Sequence, residues 1–272
     1  MGTKLWDGMH IARQGGVRAL LNEVRSFVIN QNDTFDNLYY RYLRQRRSVP
    51  LSINNTTIQV HIGDRHDYRA YTFFRKAEQH LAQDLVRELR PDDIVWDVGA
   101  NFGLYSCLVE VAPVGSAIAF EPLPENIRRM RKNFRLNDAN AEIVESALWD
   151  SNGSIRFSPA SDGNLGGASV DTNNNGQEVK TQCGDALDVS SPSVVKIDVE
   201  GAEQLVIDGM KQRLSDADCR LVYCELHHSD QGASIEDFGS TPSQLQETLQ
   251  DVGFTVEILE ERQGQTQIKG VK

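Results

Sequence analysis

From Ile94 onward the chain alternates short apolar runs with stretches of helical periodicity. Ile94 to Val98, Ala117 to Phe120, Glu142 to Val144, Val194 to Asp198 and Leu221 to Glu225 read as five strands. Helical spacing fills the intervals, from Leu104 to Val111 and over 124–136, 202–208 and 242–251. Phe254 to Leu259 and residues 266–270 supply two closing strands. This rhythm predicts an α/β fold, a doubly wound, mostly parallel seven-stranded sheet with helices on both faces.

The segment before Ile94 follows a different pattern. Val17, Leu20, Leu21, Val24, Phe27 and Val28 share one helical face, and Leu38, Tyr39, Tyr42 and Leu43 mark a second helix. Pro50 interrupts that pattern. Leu51 to Ile53 and Thr57 to Ile62 then alternate as strands around Asn54-Asn55, a hairpin signal. A longer helix is expected from about Tyr71 to Leu89. We therefore divide the chain into a helical and hairpin accessory region, 1–70, and a main domain, 71–272. Within that domain, about 153–185 is rich in Gly, Asn, Ser and Asp and reads as an inserted hairpin and loop over the sheet edge. Loops of this length in compact domains often serve function.

Charge narrows the range of partners. The net charge is −11 against 28 Lys and Arg, opposite to the balance needed to neutralise phosphates, so nucleic acid is not the expected substrate. Arg41, Arg44, Arg46 and Arg47 form the densest basic cluster and read first as a solvated helix end. No stretch reaches the roughly 18 apolar residues of a membrane span, and the N-terminus shows no secretory pattern, so a cytoplasmic protein is expected. Cys107, Cys183, Cys219 and Cys224 have neither C-x-x-C nor zinc spacing, and no metal is assigned. Oligomeric state is not legible.

In open α/β sheets the ligand lies beyond the carboxyl ends of the strands. Several strands here end in acids: Asp97, Glu121, Asp198 with Glu200, and Glu225. A crevice ringed by carboxylates repels a pyrophosphate and suits a cationic cofactor. The first turn, Asp97 to Gly103, spaces its residues D-x-G-x-x-x-G and departs from the dinucleotide G-x-G-x-x-G. Gly99 permits the turn and Gly103 a close approach to ligand, while backbone N–H groups near Gly99 and Asn101 suit a carboxylate. Asp97 suits an ammonium, and Glu121, with Pro122 beside it, lies where an acid meets a ribose diol. These features fit S-adenosylmethionine. Ser146 and Ala147 end the third strand on the adenine side, with Leu148 or Trp149 as a wall and Asp185 as a contact for the amino group.

Lys196, Asp198 and Glu200 alternate onto one side of the fourth strand and are the first choice for catalysis. Methyl transfer to an alcohol also needs a base, and His227 or His228 at the fifth strand's end suits that task. A divalent ion on Asp198, Glu200 and His227 is a lesser alternative.

Residues 94–122 (I-V-W-D-V-G-A-N-F-G-L-Y-S through A-F-E-P), 194–203 (V-V-K-I-D-V-E-G-A-E), 221–227 (L-V-Y-C-E-L-H) and 253–256 (G-F-T-V) resemble the FkbM family of class I methyltransferases. The similarity covers about residues 75–260. It implies S-adenosylmethionine binding and methyl transfer, usually to a hydroxyl of a sugar or natural product. The rival readings are a nucleic-acid or protein methyltransferase on the same fold, an NAD(P) oxidoreductase, and a non-catalytic cofactor-binding scaffold. No N-P-P-Y or D-P-P-Y segment supports the first, and the glycine spacing disfavours the second.

Overall fold

The computed structural model describes residues 32–112, 115–158, 169–170, 176–228 and 233–272. The helix expected over Val17 to Val28 lies outside these residues, as does the middle of the insertion. The chain divides into two compact units, Met1–Arg47 and Ser48–Lys272. In the first, helix α1 spans Asn32–Arg46. Phe35 and Tyr39 stack one turn apart with ring centroids 6.1 Å apart, and the Arg46 guanidinium lies over the Tyr42 ring. Arg41, Arg44, Arg46 and Arg47 are all exposed.

The second unit opens with an antiparallel hairpin, β1 (Ser48–Ile53) and β2 (Thr56–His61). Pro50 sits within β1 on its exposed side, where a missing N–H costs nothing. Asn54 takes a φ of 50° at the turn. The single helix expected over 71–89 is two, α2 (Arg65–Ala77) and α3 (Gln79–Glu88). Asp64 starts α2 early because its carboxylate accepts from the His66 and Asp67 amides. The break falls at Glu78, whose side chain turns inward.

The main sheet comprises β3 (Ile94–Val98), β4 (Ser116–Phe120), β5 (Glu142–Val144), β10 (Val194–Ile197), β11 (Leu221–His227), β12 (Thr255–Arg262) and β13 (Gln265–Val271). Their spatial order is β12-β13-β11-β10-β3-β4-β5, and β13 alone runs against its neighbours. This is the expected doubly wound, mostly parallel seven-stranded architecture. Helices α4 (Leu104–Val111), α5 (Pro124–Asn137), α6 (Glu203–Asp208), α7 (Lys211–Ser215) and α8 (Pro242–Asp251) complete it. Trp96, Val98, Val195, Ile197, Val222 and Cys224 pack against Val206, Ile207, Leu214, Leu245 and Leu249 from α6, α7 and α8, and against Met210 in the turn between α6 and α7. Of the intervening residues, Asp97 faces α4, where it bonds Ser106, and Tyr223 reaches Asp84 on α3.

The hairpin packs with this domain. Backbone N–H groups of Gln59 and His61 donate to the side chains of Asn137 (2.6 Å) and Asn133 (2.8 Å) on α5, and Asn133 donates onward to the Phe102 carbonyl. The insertion is more than a hairpin. β6 (Ala147–Trp149), β7 (Gly153–Ser158), β8 (Ser169–Val170) and β9 (Gln177–Cys183) make a separate four-stranded sheet ordered β6-β9-β7-β8.

Candidate active site

The carboxyl ends of β3, β4, β10 and β11 surround a cavity of about 530 Å³. Gly99, Asn101, Glu121, Pro122, Ala147, Lys196, Asp198, Glu200 and His227 line it. Asp97, Gly103, Ser146 and His228 do not.

The turn after β3 is built for packing as much as for ligand. Gly99 has φ +75°, and a Cβ there would stand 1.9 Å from the Asp198 carbonyl oxygen, so the glycine lets two strand ends meet. At Gly103, φ +70°, a Cβ would lie 2.5 Å from Met130 Cγ and 2.7 Å from a Phe134 ring carbon. Its close approach is therefore to α5, and the expectation of a ligand there is corrected. The turn's amides are also already engaged. Gly99 and Ala100 donate to the Phe120 carbonyl at 3.1 and 3.0 Å, and Asn101 donates to Glu121 Oε2 at 2.9 Å. They are not open to receive a ligand carboxylate, as the spacing alone suggested.

Glu121 is 4% exposed. Its other oxygen accepts from the Leu123 amide at 2.9 Å and the Asn126 side chain at 3.2 Å. Burial raises its pKa, these donors pull it back, and the balance stands at about 7. Beside it, Pro122, Leu123, Ala147, Leu148, Trp149 and Phe157 give the cavity an apolar wall. Ser146 is fully buried, with no hydrogen-bond partner for its hydroxyl among the described residues. Asp185 does not face the cavity. Its carboxylate accepts from the Gln212 and Arg213 amides at the start of α7.

Lys196 occupies the floor. It is buried, 3.5 Å from Asp97 Oδ1 and 3.3 Å from Asp198 Oδ2, with its ammonium over the Tyr105 ring. Burial alone would discharge it, but the charges of Asp198 and Asp97 reverse that and hold it protonated. Asp97 Oδ2 accepts from the Ser106 amide and hydroxyl at 3.1 and 2.7 Å. Asp97 is thus a buried partner of Lys196 and Ser106 rather than a direct contact for a ligand ammonium.

Glu78, which the sequence did not mark, and Glu225, marked there only as one of the acidic strand ends, join this floor. Glu78 lines the cavity, bonds Tyr105 Oη at 2.8 Å and pairs with Arg262 at 3.2 Å. Burial and the Asp198 charge raise its pKa. Glu225 lines the cavity too, and burial with the charges of Asp198 and Glu78 lifts it to about 8. The acidic strand end marked Glu225, whereas nothing in the local pattern marked Glu78.

At the far side His227 is 4% exposed. Its Nδ1 lies 2.6 Å from Glu203 Oε1, and its Nε2 lies 3.6 Å from Glu200 Oε2 and 3.9 Å from Asp198 Oδ1. Burial alone would lower its pKa, but the Glu203 bond and the Glu200 charge carry it up to about 10. The ring is an imidazolium at neutral pH and has no site for a proton, which counts against it as the base. Burial raises Glu200 to about 7 against the pull of His227. Glu200 holds φ 54°, a left-handed conformation that turns its carboxylate towards His227. His228 Nε2 bonds the Thr266 hydroxyl at 2.9 Å, away from the cavity. Glu203, buried in α6, has no strand-end signal that would have singled it out.

Comparison with known proteins gives the chain's family. Residues 97–260 match the methyltransferase FkbM domain model. A hexuronic acid methyltransferase, AglP, of Haloferax volcanii is 33% identical over 156 residues, covering 56% of this chain and 63% of the relative. A 31-O-demethyl-FK506 methyltransferase, FkbM, of Streptomyces tacrolimicus is 27% identical over 182 residues, covering 53% of this chain and 68% of the relative. The chain thus spans about two thirds of the length of either. The crystal structure of an FkbM methyltransferase of Methylobacillus flagellatus KT aligns at TM-score 0.47 and 13% identity, over 85% of this chain and 57% of that one. With the family's domain model matched over more than half its length, the chain belongs to the FkbM methyltransferase domain family.

Proposed function

We propose that the chain is an S-adenosylmethionine-dependent O-methyltransferase acting on a hydroxyl of a saccharide or small metabolite. The observation that carries the reading is Glu121, a nearly buried carboxylate held by amides at the end of β4 and facing the cavity. Such a group accepts from both hydroxyls of a ribose diol. The cavity also fits the rest of the cofactor. The wall from Pro122 to Leu123 and from Ala147 to Trp149 offers apolar surface to an adenine. The carboxyl groups of Asp198, Glu200, Glu225 and Glu78 line the space for a sulfonium and an ammonium, whose positive charge favours their ionised forms.

When bound, S-adenosylmethionine supplies an electrophilic methyl group on sulfur. The protein's part is to bind, align and activate. Asn101 orients Glu121 through its amide, and Lys196 holds Asp198 towards the cavity while remaining charged. Glu203 fixes the His227 ring so that Nε2 faces Asp198 and Glu200. His227 is already protonated, so activation of the acceptor hydroxyl rests on Asp198 and Glu200. The relatives' names, a hexuronic acid methyltransferase and a 31-O-demethyl-FK506 methyltransferase, support a small hydroxylated acceptor. The net charge of −11 argues against nucleic acid. No helix among the described residues is long and apolar enough to cross a membrane, and the free thiols of Cys107, Cys219 and Cys224 are buried; we place the protein in the cytoplasm.

Calorimetric titration tests the cofactor: S-adenosylmethionine should bind one per chain and NAD should not. Tight NAD binding, or none of S-adenosylmethionine, overturns the reading. Label from methyl-labelled cofactor then identifies the acceptor.

A further inference from the structure

We propose that Asp198, Glu200 and His227 hold one divalent cation of the Mg²⁺ or Mn²⁺ class, against which the acceptor hydroxyl is activated. The inference rests on the methyl-transfer reading and specifies how the two carboxylates act within it, as ligands.

One ligand atom from each of the three residues lies within 4.8 Å of the others. Ion–ligand bonds of about 2.1–2.4 Å put neighbouring ligands of an octahedral ion roughly 3–3.4 Å apart. Nε2 of His227, at 3.6 and 3.9 Å from the two carboxylates, is close to that spacing. Asp198 and Glu200 are partly exposed, so small side-chain rotations suffice to close the gap.

The imidazole supplies an independent indication. Its side chain is 94% buried, since only 6% is exposed, and among the described residues Nε2 has no acceptor within hydrogen-bond range. The opposite nitrogen is bound by Glu203, which is fully buried. A carboxylate on one ring nitrogen, leaving the other aimed at a cluster of oxygens, is how proteins orient a histidine ligand. Charge points the same way. Asp198, Glu200 and Glu203 bring three carboxyl groups to a single imidazole. A divalent ion neutralises that excess and takes the place of the proton that Nε2 carries in its absence, so the ring ligates as a neutral imidazole. Two oxygens and one nitrogen, with the remaining positions open to the cavity, suit Mg²⁺ or Mn²⁺ better than a closed thiolate site would.

In the transfer, the acceptor O–H gives its proton to water. The oxygen lone pair forms a bond to the methyl carbon. The carbon–sulfur bond breaks with its electron pair staying on sulfur, leaving S-adenosylhomocysteine as a neutral thioether. The ion's role is to lower the hydroxyl's pKa and fix the oxygen in line.

The test uses the full chain, with free Mn²⁺ counted by electron paramagnetic resonance and Mg²⁺ added as competitor. One Mn²⁺ per chain is expected, displaced by Mg²⁺. Asp198→Asn, Glu200→Gln and His227→Gln should each weaken it at least about tenfold. Glu203→Gln should weaken it by about 10–100-fold through the ring it orients. Glu145→Gln, an exposed carboxylate paired with Arg131, should change nothing. Circular dichroism reports whether each variant folds. Should the more buried His227 variant fail to fold, Glu200→Gln gives the answer. No stoichiometric Mn²⁺ in the wild type, or undiminished binding in the folded ligand variants, overturns the proposal. Titration of the same sample with S-adenosylmethionine separates the two readings: cofactor binding without the ion removes this inference alone, and its loss removes the methyl-transfer reading.

Discussion

At Glu121 burial and hydrogen bonding pull in opposite directions, and the balance near 7 makes the cofactor end sensitive to pH. The folded carboxyl has a raised pKa, so between its ordinary value and about 7 it is still partly protonated. Only the ionised form accepts from both ribose hydroxyls. Affinity for S-adenosylmethionine should therefore rise with pH through 7 and level off above it. From pH 6 to pH 8 the ionised fraction grows about tenfold, and calorimetric affinity should follow. Glu121→Gln should reduce that dependence to the share that Glu200 and Glu225 contribute over the same range, and Glu121→Ala should cost at least about tenfold at pH 8, each charge-assisted bond contributing roughly 1.5–3 kcal/mol. An affinity independent of both pH and the substitution removes Glu121 from the ribose site. The two histidines separate equally sharply. His228 faces Thr266, so His228→Ala should keep turnover within about twofold once an acceptor is known. A loss of about 10²-fold or more would return the base to that residue.

At the scale of elements, the turn after β3 and the β10 segment were legible because each is local, a strand running into a glycine turn or an acid. What each glycine does was not legible, since its neighbour is distant in sequence. Gly99 meets the Asp198 carbonyl, a backbone atom that cannot swing aside, whereas Gly103 meets the side chains of Met130 and Phe134. Gly99→Ala should therefore destabilise by at least about 2 kcal/mol and more than Gly103→Ala, read as melting temperatures. A larger loss at Gly103 would show that the strand ends separate easily. The hairpin's placement was hidden for the same reason: it depends on Asn133 and Asn137, which look like ordinary helix-surface residues. Asn133→Ala removes bonds to the His61 amide and the Phe102 carbonyl. With a buried amide left unpaired, it should cost about 2–3 kcal/mol in urea unfolding. A change below about 0.5 kcal/mol would mean that water replaces the asparagine. Glu78 escaped notice because no period or motif links it to Tyr105, and Glu203, though it closes the 194–203 segment, carries no local sign of its partner His227. Only the folded chain brings these pairs together.

At the scale of the whole molecule, the division after Arg47 leads to the last prediction. Every described residue lining the cavity lies between Arg69 and Gln265, and the core beneath it is assembled from β3 to α8 and the closing strands. The hairpin from Ser48 is tied to α5 by the two asparagines, so it belongs with the part that must be kept. A fragment of residues 48–272 should then melt cooperatively and bind S-adenosylmethionine within about twofold of the full chain, because it keeps all the described residues that line the site. A fragment beginning at 71, the boundary drawn from sequence, loses β1 and β2 and exposes Asn133, Asn137 and the apolar face the hairpin covers. It should melt at a clearly lower temperature than the 48–272 fragment. Equal melting of the two fragments would return the hairpin to the accessory region. Loss of cofactor affinity in a 48–272 fragment whose circular dichroism is unchanged would overturn the independence of the site.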